Sequence, residues 1–104
     1  MLDFMLDTGA TSNFINDRQL LTDFIEDKSF IMLEDNLKTK STGYGTLRWK
    51  TKDKISGKDI TIRLKEVRVI LNLNQNILSL SAIFHQYPKA TEITRDKNYL
   101  LLKI

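Results

Sequence analysis

The residues best suited to chemistry in this sequence are an acid followed at once by a hydroxyl and a glycine. Asp7 ends the apolar run Phe4–Leu6 and precedes Thr8 and Gly9. A carboxylate delivered by an apolar strand costs free energy unless its charge is satisfied. Gly9 lets the backbone turn back, so that its N–H can reach the Asp7 carboxylate, and Thr8 and Thr11 add hydroxyl donors. Such a group is either a structural turn cap or a reacting group.

The composition limits the other chemistry open to the chain. Its 104 residues include no cysteine and one histidine, His85. Disulfides and thiolate metal ligands are therefore excluded, and one histidine cannot build a zinc site alone. We predict no metal and no cofactor, and we expect His85 on the surface. No apolar run approaches the roughly 20 residues of a membrane-spanning helix, so we expect no membrane contact.

The length and the hydrophobic patterning predict a single β-rich domain over residues 1–104. The clearest alternation places Ile60, Ile62 and Leu64 on one face, with polar residues between them. This pattern is typical of a half-buried strand. The strand changes phase at Lys65-Glu66, which indicates a turn or a bulge.

Two short helices are predicted elsewhere. Asp17–Phe24 has apolar residues at helical spacing and Asp17 as a potential cap. Ile77–Phe84 suits one or two helical turns, which Pro88 would end. The apolar segment Tyr99–Ile104 is predicted to be a strand, which either pairs across a dimer or closes its own sheet. The expected fold is mostly β, a small closed β-barrel or sandwich with one or two short helices.

Two further segments leave alternatives open. Gly43 and Gly45 flank Tyr44, which indicates either a hairpin tip or a strand with close backbone approach. Basic residues alternate along Arg48–Lys58. The favoured interpretation is the water-facing side of a hairpin. A nucleic-acid surface is the alternative, but it would need aromatic residues on the same face, and we do not expect nucleic acid as a partner.

Three blocks of the sequence resemble a known family. They are "LDTGATSNFINDRQLLTDF" at Leu6–Phe24, "GYGTL" at Gly43–Leu47 and "LKEVRVILNLNQNILSLSAI" at Leu64–Ile83. In this order they resemble the retropepsin family of aspartic proteases, and more closely the protease of copia-type LTR retrotransposons. The first and third blocks are specific, whereas "GYG" alone is weak.

The resemblance implies a retropepsin-type fold and a role for each matching position. Asp7 is expected to be the catalytic carboxylate, Thr8 to hydrogen-bond across a dimer axis, and Gly9 to shape the loop and contact substrate backbone. The substrate-binding positions, which line the groove or form a mobile flap, are Ala10, Thr11, Gly43, Tyr44 and Gly45. Ile77-Leu78-Ser79 corresponds to a turn beside the active-site loop, with serine where viral relatives have glycine.

The implied reaction requires a second carboxylate. Aspartic proteolysis uses two carboxylates that share one proton, one activating water and the other protonating the scissile carbonyl. The chain has one Asp-Thr-Gly, so Asp7 of a second copy must complete the site, which makes a C2 homodimer. The expected function is an endopeptidase that processes a retroelement Gag-Pol polyprotein, in the cytoplasm and within retroelement particles. A catalytically inactive dimerisation or peptide-binding module remains the alternative.

Overall fold

A computed structural model describes residues 4–32, 38–53, 56–89, 92–96 and 99–103. Most of these residues form strands. In chain order the elements are β1 (Phe4–Asp7), β2 (Phe14–Ile15), the 3-10 helix η1 (Arg18–Leu20), β3 (Leu21–Met32), β4 (Lys38–Lys52), β5 (Asp59–Val69), β6 (Asn76–Ser79), α1 (Leu80–Gln86), β7 (Glu92–Asp96) and β8 (Tyr99–Lys103).

Six strands form one sheet in the order β1-β6-β2-β5-β4-β3. β1 runs parallel to β6 and β2 parallel to β5, whereas β2–β6, β4–β5 and β3–β4 are antiparallel. The mostly β prediction is confirmed. The prediction of a closed barrel is wrong for the described residues, because β1 and β3 are the two ends of the sheet order. Antiparallel β7 and β8 form a separate two-stranded sheet, so the terminal strand pairs with its own hairpin partner.

The core lies under β5 and the strands on either side of it. Ile62 and Leu64 are fully buried, as the alternation predicts, and Val67 and Val69 continue the buried face after a phase change. Glu66 causes that change by adopting a left-handed backbone, with φ of 58°. The β4–β5 register shifts at the same place, so the predicted irregularity is a β-bulge.

Both predicted helices are shorter than the sequence suggested. Asp17 caps η1 by accepting from the N–H of Gln19, but the chain is extended from Leu21 onward. Leu21 pairs with Leu47 of β4, and Ile77 pairs with both Met5 and Phe14. Short apolar runs are compatible with either a strand or a helix, and here pairing with neighbouring strands makes these residues strands. The second predicted helix is confirmed from Leu80 to Phe84, and α1 continues to Gln86, before Pro88.

Close backbone approach explains the glycine pair in β4. Gly43 and Gly45 lie within the strand and pair with β3 on one side and β5 on the other. A Cβ at Gly43 would overlap the carbonyl oxygen of Ile25 and lie 2.6 Å from Cζ of Phe24. Of the two alternatives that the sequence left open, the strand with close backbone approach is therefore confirmed and the hairpin tip is not. The β3–β4 connection follows Met32 and precedes Lys38.

Candidate active site at the end of β1

The strand order places the Asp-Thr-Gly turn across the end of β6. β6 lies between β1 and β2, which the turn connects along the chain. Asp7 ends β1 directly beside Ser79, the last residue of parallel β6. Helix α1 begins at the next residue, Leu80. Two strand ends and a helix start therefore hold the acid.

A backbone hydrogen bond fixes the Asp7 side chain. The N–H of Gly9 donates to Oδ1 of Asp7 over 2.8 Å, as the sequence predicts. Asp7 is half-buried, whereas Thr8 and Gly9 are exposed. Neither threonine hydroxyl bonds to the carboxylate within the described residues, and Oδ2 accepts no hydrogen bond there. One oxygen is thus held by the turn and the other remains open to a further group.

Hydrogen bonds of two buried residues, Ser79 and Asn13, hold the turn in place. The Ser79 hydroxyl donates to the carbonyl of Ala10 over 2.6 Å and accepts from the N–H of Ala82 over 3.0 Å. Oδ1 of Asn13 accepts from the backbone N–H of Ser79 over 2.7 Å. Both Ser79 and Asn13 are buried. Because Ser79 also caps α1, the same hydroxyl sets the position of the helix and of the loop after Asp7.

A second group of side chains joins the β3–β4 hairpin to β5. Both terminal nitrogens of Arg68 lie 3.2 Å from Oδ2 of Asp27, and one of them also donates to Oγ of Ser29. The Arg68 guanidinium lies 5.0 Å from the ring centroid of Tyr44, a cation–π contact. Tyr44 is therefore a half-buried side chain held within the sheet.

Two open cavities meet beside the residues that follow Asp7. One, of about 230 Å³, is lined by Ser12, Asp27, Tyr44, Glu66 and Arg68. The other, of about 470 Å³, is lined by residues of the turn, the bulge and the helix. They are Thr11, Ser12, Asn13, Lys65, Glu66, Ser81, Ala82, His85 and Gln86. His85 is exposed, as expected.

The predicted site residues fall into two places in the structure. Asp7, Thr8, Gly9, Ala10 and Thr11 form one turn. Tyr44 reaches the cavity that Ser12 lines, but Gly43 and Gly45 serve the contact between β3 and β4. Sequence reasoning missed Asn13 and the pair Asp27–Arg68, which is 41 residues apart in the chain and leaves no local signal.

The chain matches a family of known proteins. A family model described as "Pol polyprotein, beta-barrel domain" matches residues 4–87, which include the whole six-stranded sheet and α1. No curated protein and no solved structure gives a significant match. The described residues contain no group of three acidic or histidine side chains that could hold a metal ion. No helix among them is long and apolar enough to cross a membrane.

Proposed function

Because the chain belongs to the Pol polyprotein beta-barrel domain family, we propose that it is a retroelement aspartic endopeptidase of the retropepsin type. The observation that carries the proposal is the half-buried Asp7 at a strand end, with one carboxylate oxygen fixed and the other open. A reacting carboxylate needs this combination of fixed geometry and one available oxygen. The resemblance of the sequence to copia-type proteases also supports peptide-bond hydrolysis by this carboxylate.

A homodimer completes the proposed site. Asp7 of each copy faces the other across a two-fold axis, and the two carboxylates share one proton. The ionised carboxylate takes a proton from water, which attacks the scissile carbonyl carbon. The protonated carboxyl gives its proton to the carbonyl oxygen, which forms a gem-diol intermediate. The carboxyl that took the proton from water then gives it to the amide nitrogen, the C–N bond breaks, and a gem-diol hydroxyl returns its proton to the other carboxylate. The resemblance gives Thr8, exposed beside Asp7, the role of bracing the pair.

The β3–β4 hairpin is the proposed cover over the substrate. It is the longest hairpin of the described structure, and its distal part places Phe30, 74% exposed, opposite Lys40. The ion pair Asp27–Arg68 holds the base of the hairpin to β5. An extended peptide would lie between this hairpin and the turn that contains Ala10 and Thr11, hydrogen-bonding as an added strand.

The experiment compares the wild type with Asp7→Asn, which preserves shape and the acceptor for the Gly9 N–H. Cleavage of a mixed peptide library at about pH 5–6 is measured together with the mass in solution. We expect both proteins to be dimers and cleavage to vanish in Asp7→Asn. Equal cleavage by both would exclude Asp7 as the reacting group. A wild-type dimer that cleaves nothing would favour the catalytically inactive dimerisation or peptide-binding module. A monomer inert in both forms would contradict the dimeric site.

A further inference from the structure

The solvent side of the β4–β5 hairpin carries a regular array of cations. Between Thr46 and Lys52 of β4 and between Asp59 and Lys65 of β5, alternate positions hold five exposed basic side chains. These residues, called the basic face below, are Arg48, Lys50, Lys52, Arg63 and Lys65. In the sequence, only the three β4 residues are close together. Arg63 and Lys65 lie beside them because β5 pairs antiparallel with β4.

Like charges face one another on this surface. Arg48 is directly opposite Arg63 in the register. Like charges at opposed positions destabilise a sheet. The one acid at the alternate positions of the two strands is Asp59, opposite Lys52. Within the described residues none of the five basic side chains forms an ion pair. The repulsion is therefore not relieved there by the protein itself.

The spacing of the basic face fits a linear polyanion. Side chains at alternate strand residues stand about 7 Å apart on one face. This distance is close to that between successive phosphates of an extended single strand of nucleic acid. Apart from Asp59, the remaining alternate positions of these two segments hold threonines, Thr46 and Thr61, so the basic face itself offers no apolar anchor to a protein partner. Tyr44, the next alternate residue of β4, is half-buried and contacts Arg68. Aromatic residues are needed where bases stack on a surface, whereas contacts to phosphates alone require only charge and hydrogen-bond donors. The lack of aromatic residues on the basic face therefore does not exclude nucleic acid, contrary to the expectation from sequence.

The geometry points to a binding surface for the phosphate backbone of single-stranded RNA on the basic face. Binding is independent of base sequence, because no base contact is involved. It is also independent of the proposed proteolysis, since Asp7 takes no part in it. Hydrogen bonds from the end of α1 hold the edge of β5 that carries two of the basic residues. The hydroxyl of Tyr87 and the side-chain amide of Gln86 bond to the backbone of Arg63 and Lys65.

The first test measures binding of a fluorescein-labelled, mixed-sequence, single-stranded RNA of about 20 nucleotides by fluorescence anisotropy. Each phosphate contact on a single strand contributes about −0.7 to the slope of log affinity against log salt. With about four contacts, we expect affinity to fall about 50-fold between roughly 50 and 200 mM salt. Absence of binding at the lower salt concentration would overturn the inference.

Two variants of equal net charge test whether RNA binds at the basic face. Lys50→Glu/Lys52→Glu changes the basic face, and Lys38→Glu/Lys40→Glu changes the other end of the same strand. Each exchange lowers the charge by two, so both variants go from +3 to −1. We expect the first to weaken RNA binding by about tenfold or more and the second by about threefold or less. An equal loss would overturn the basic face as the site.

A third variant separates binding from folding. Arg48→Gln/Arg63→Gln removes the opposed charges, so we expect it to unfold at a higher temperature while binding RNA more weakly. A lower unfolding temperature with unchanged RNA binding would show that the arginines serve the fold and would contradict the inference. Polyglutamate is the competitor in a parallel titration. Displacement of RNA at equal charge concentration would indicate an acidic protein partner and would overturn the assignment to RNA.

Discussion

The Ser79 hydroxyl is bonded at once to the loop after Asp7 and to the start of α1. In Ser79→Ala the carbonyl of Ala10 and the N–H of Ala82 both lose this partner. Because Ser79 itself is fully buried, water has little access to replace its hydroxyl. We expect a loss of about 1–3 kcal/mol in the free energy of unfolding. Thermal unfolding, monitored by circular dichroism, measures this loss as a decrease in the midpoint temperature of about 4–8 °C for each kcal/mol.

Ser81→Ala is the matched control for Ser79→Ala. Its hydroxyl lies 3.5 Å from that of Ser79, but Ser81 is exposed. We expect a change within about 0.5 kcal/mol. Under the proposed function, Ser79→Ala also lowers cleavage at temperatures where the variant remains folded, since the loop bearing Asp7 is no longer fastened. Equal stability of the two variants would show that the buried hydroxyl does not hold the loop.

Among the strands, the contact between β3 and β4 depends on the absence of a side chain at Gly43. In Gly43→Ala the new methyl group meets the backbone carbonyl of Ile25 and the ring of Phe24. A paired backbone cannot move aside as a flexible side chain does, so we expect a loss of about 3 kcal/mol or more. Urea unfolding measures it through the midpoint of the transition.

Gly57→Ala tests the other reason for a glycine. No atom lies within 4 Å of a Cβ at Gly57, but its φ is +70°. The left-handed backbone alone should cost about 1–2 kcal/mol. Gly43→Ala is expected to be clearly the less stable of the two. The reverse order would mean that β3 and β4 lie farther apart at Gly43 than the structure shows.

The base of the β3–β4 hairpin depends on a partly shielded ion pair. Asp27→Ala leaves Arg68 without its carboxylate, and the two side chains are 44% and 29% exposed. At this exposure we expect a loss of about 1 kcal/mol, measured by urea unfolding. Glu26→Ala is the control, because its 3.8 Å pair with Lys28 is largely in solvent and should contribute about nothing. A larger loss in Glu26→Ala would contradict the assigned anchor.

Local features of the fold could be predicted from sequence, whereas long-range pairing could not. The turn at Gly9, the alternation around Ile62 and the bulge at Glu66 depend on neighbouring residues and are confirmed. The second half of the helix expected at Asp17–Phe24 is strand because Leu21 pairs with a residue 26 positions later. The prediction of a closed barrel was wrong for the same reason, because the order of strands in a sheet depends on packing between residues far apart in the sequence.

For the molecule as a whole, a mixture of two proteins tests whether each site needs Asp7 from two copies. Asp7→Asn is added to a fixed amount of wild type and allowed to exchange. If one copy alone were active, cleavage would not change. If two are needed, an equal amount of the variant leaves about half of the activity and a threefold excess leaves about a quarter, because variant subunits occupy wild-type partners. Ser81→Ala added in the same amounts is the control and should lower nothing. Cleavage rates measured at several ratios of Asp7→Asn to wild type therefore distinguish a shared carboxylate pair from a site complete within one chain. Rates that do not change with added Asp7→Asn would contradict the dimeric mechanism.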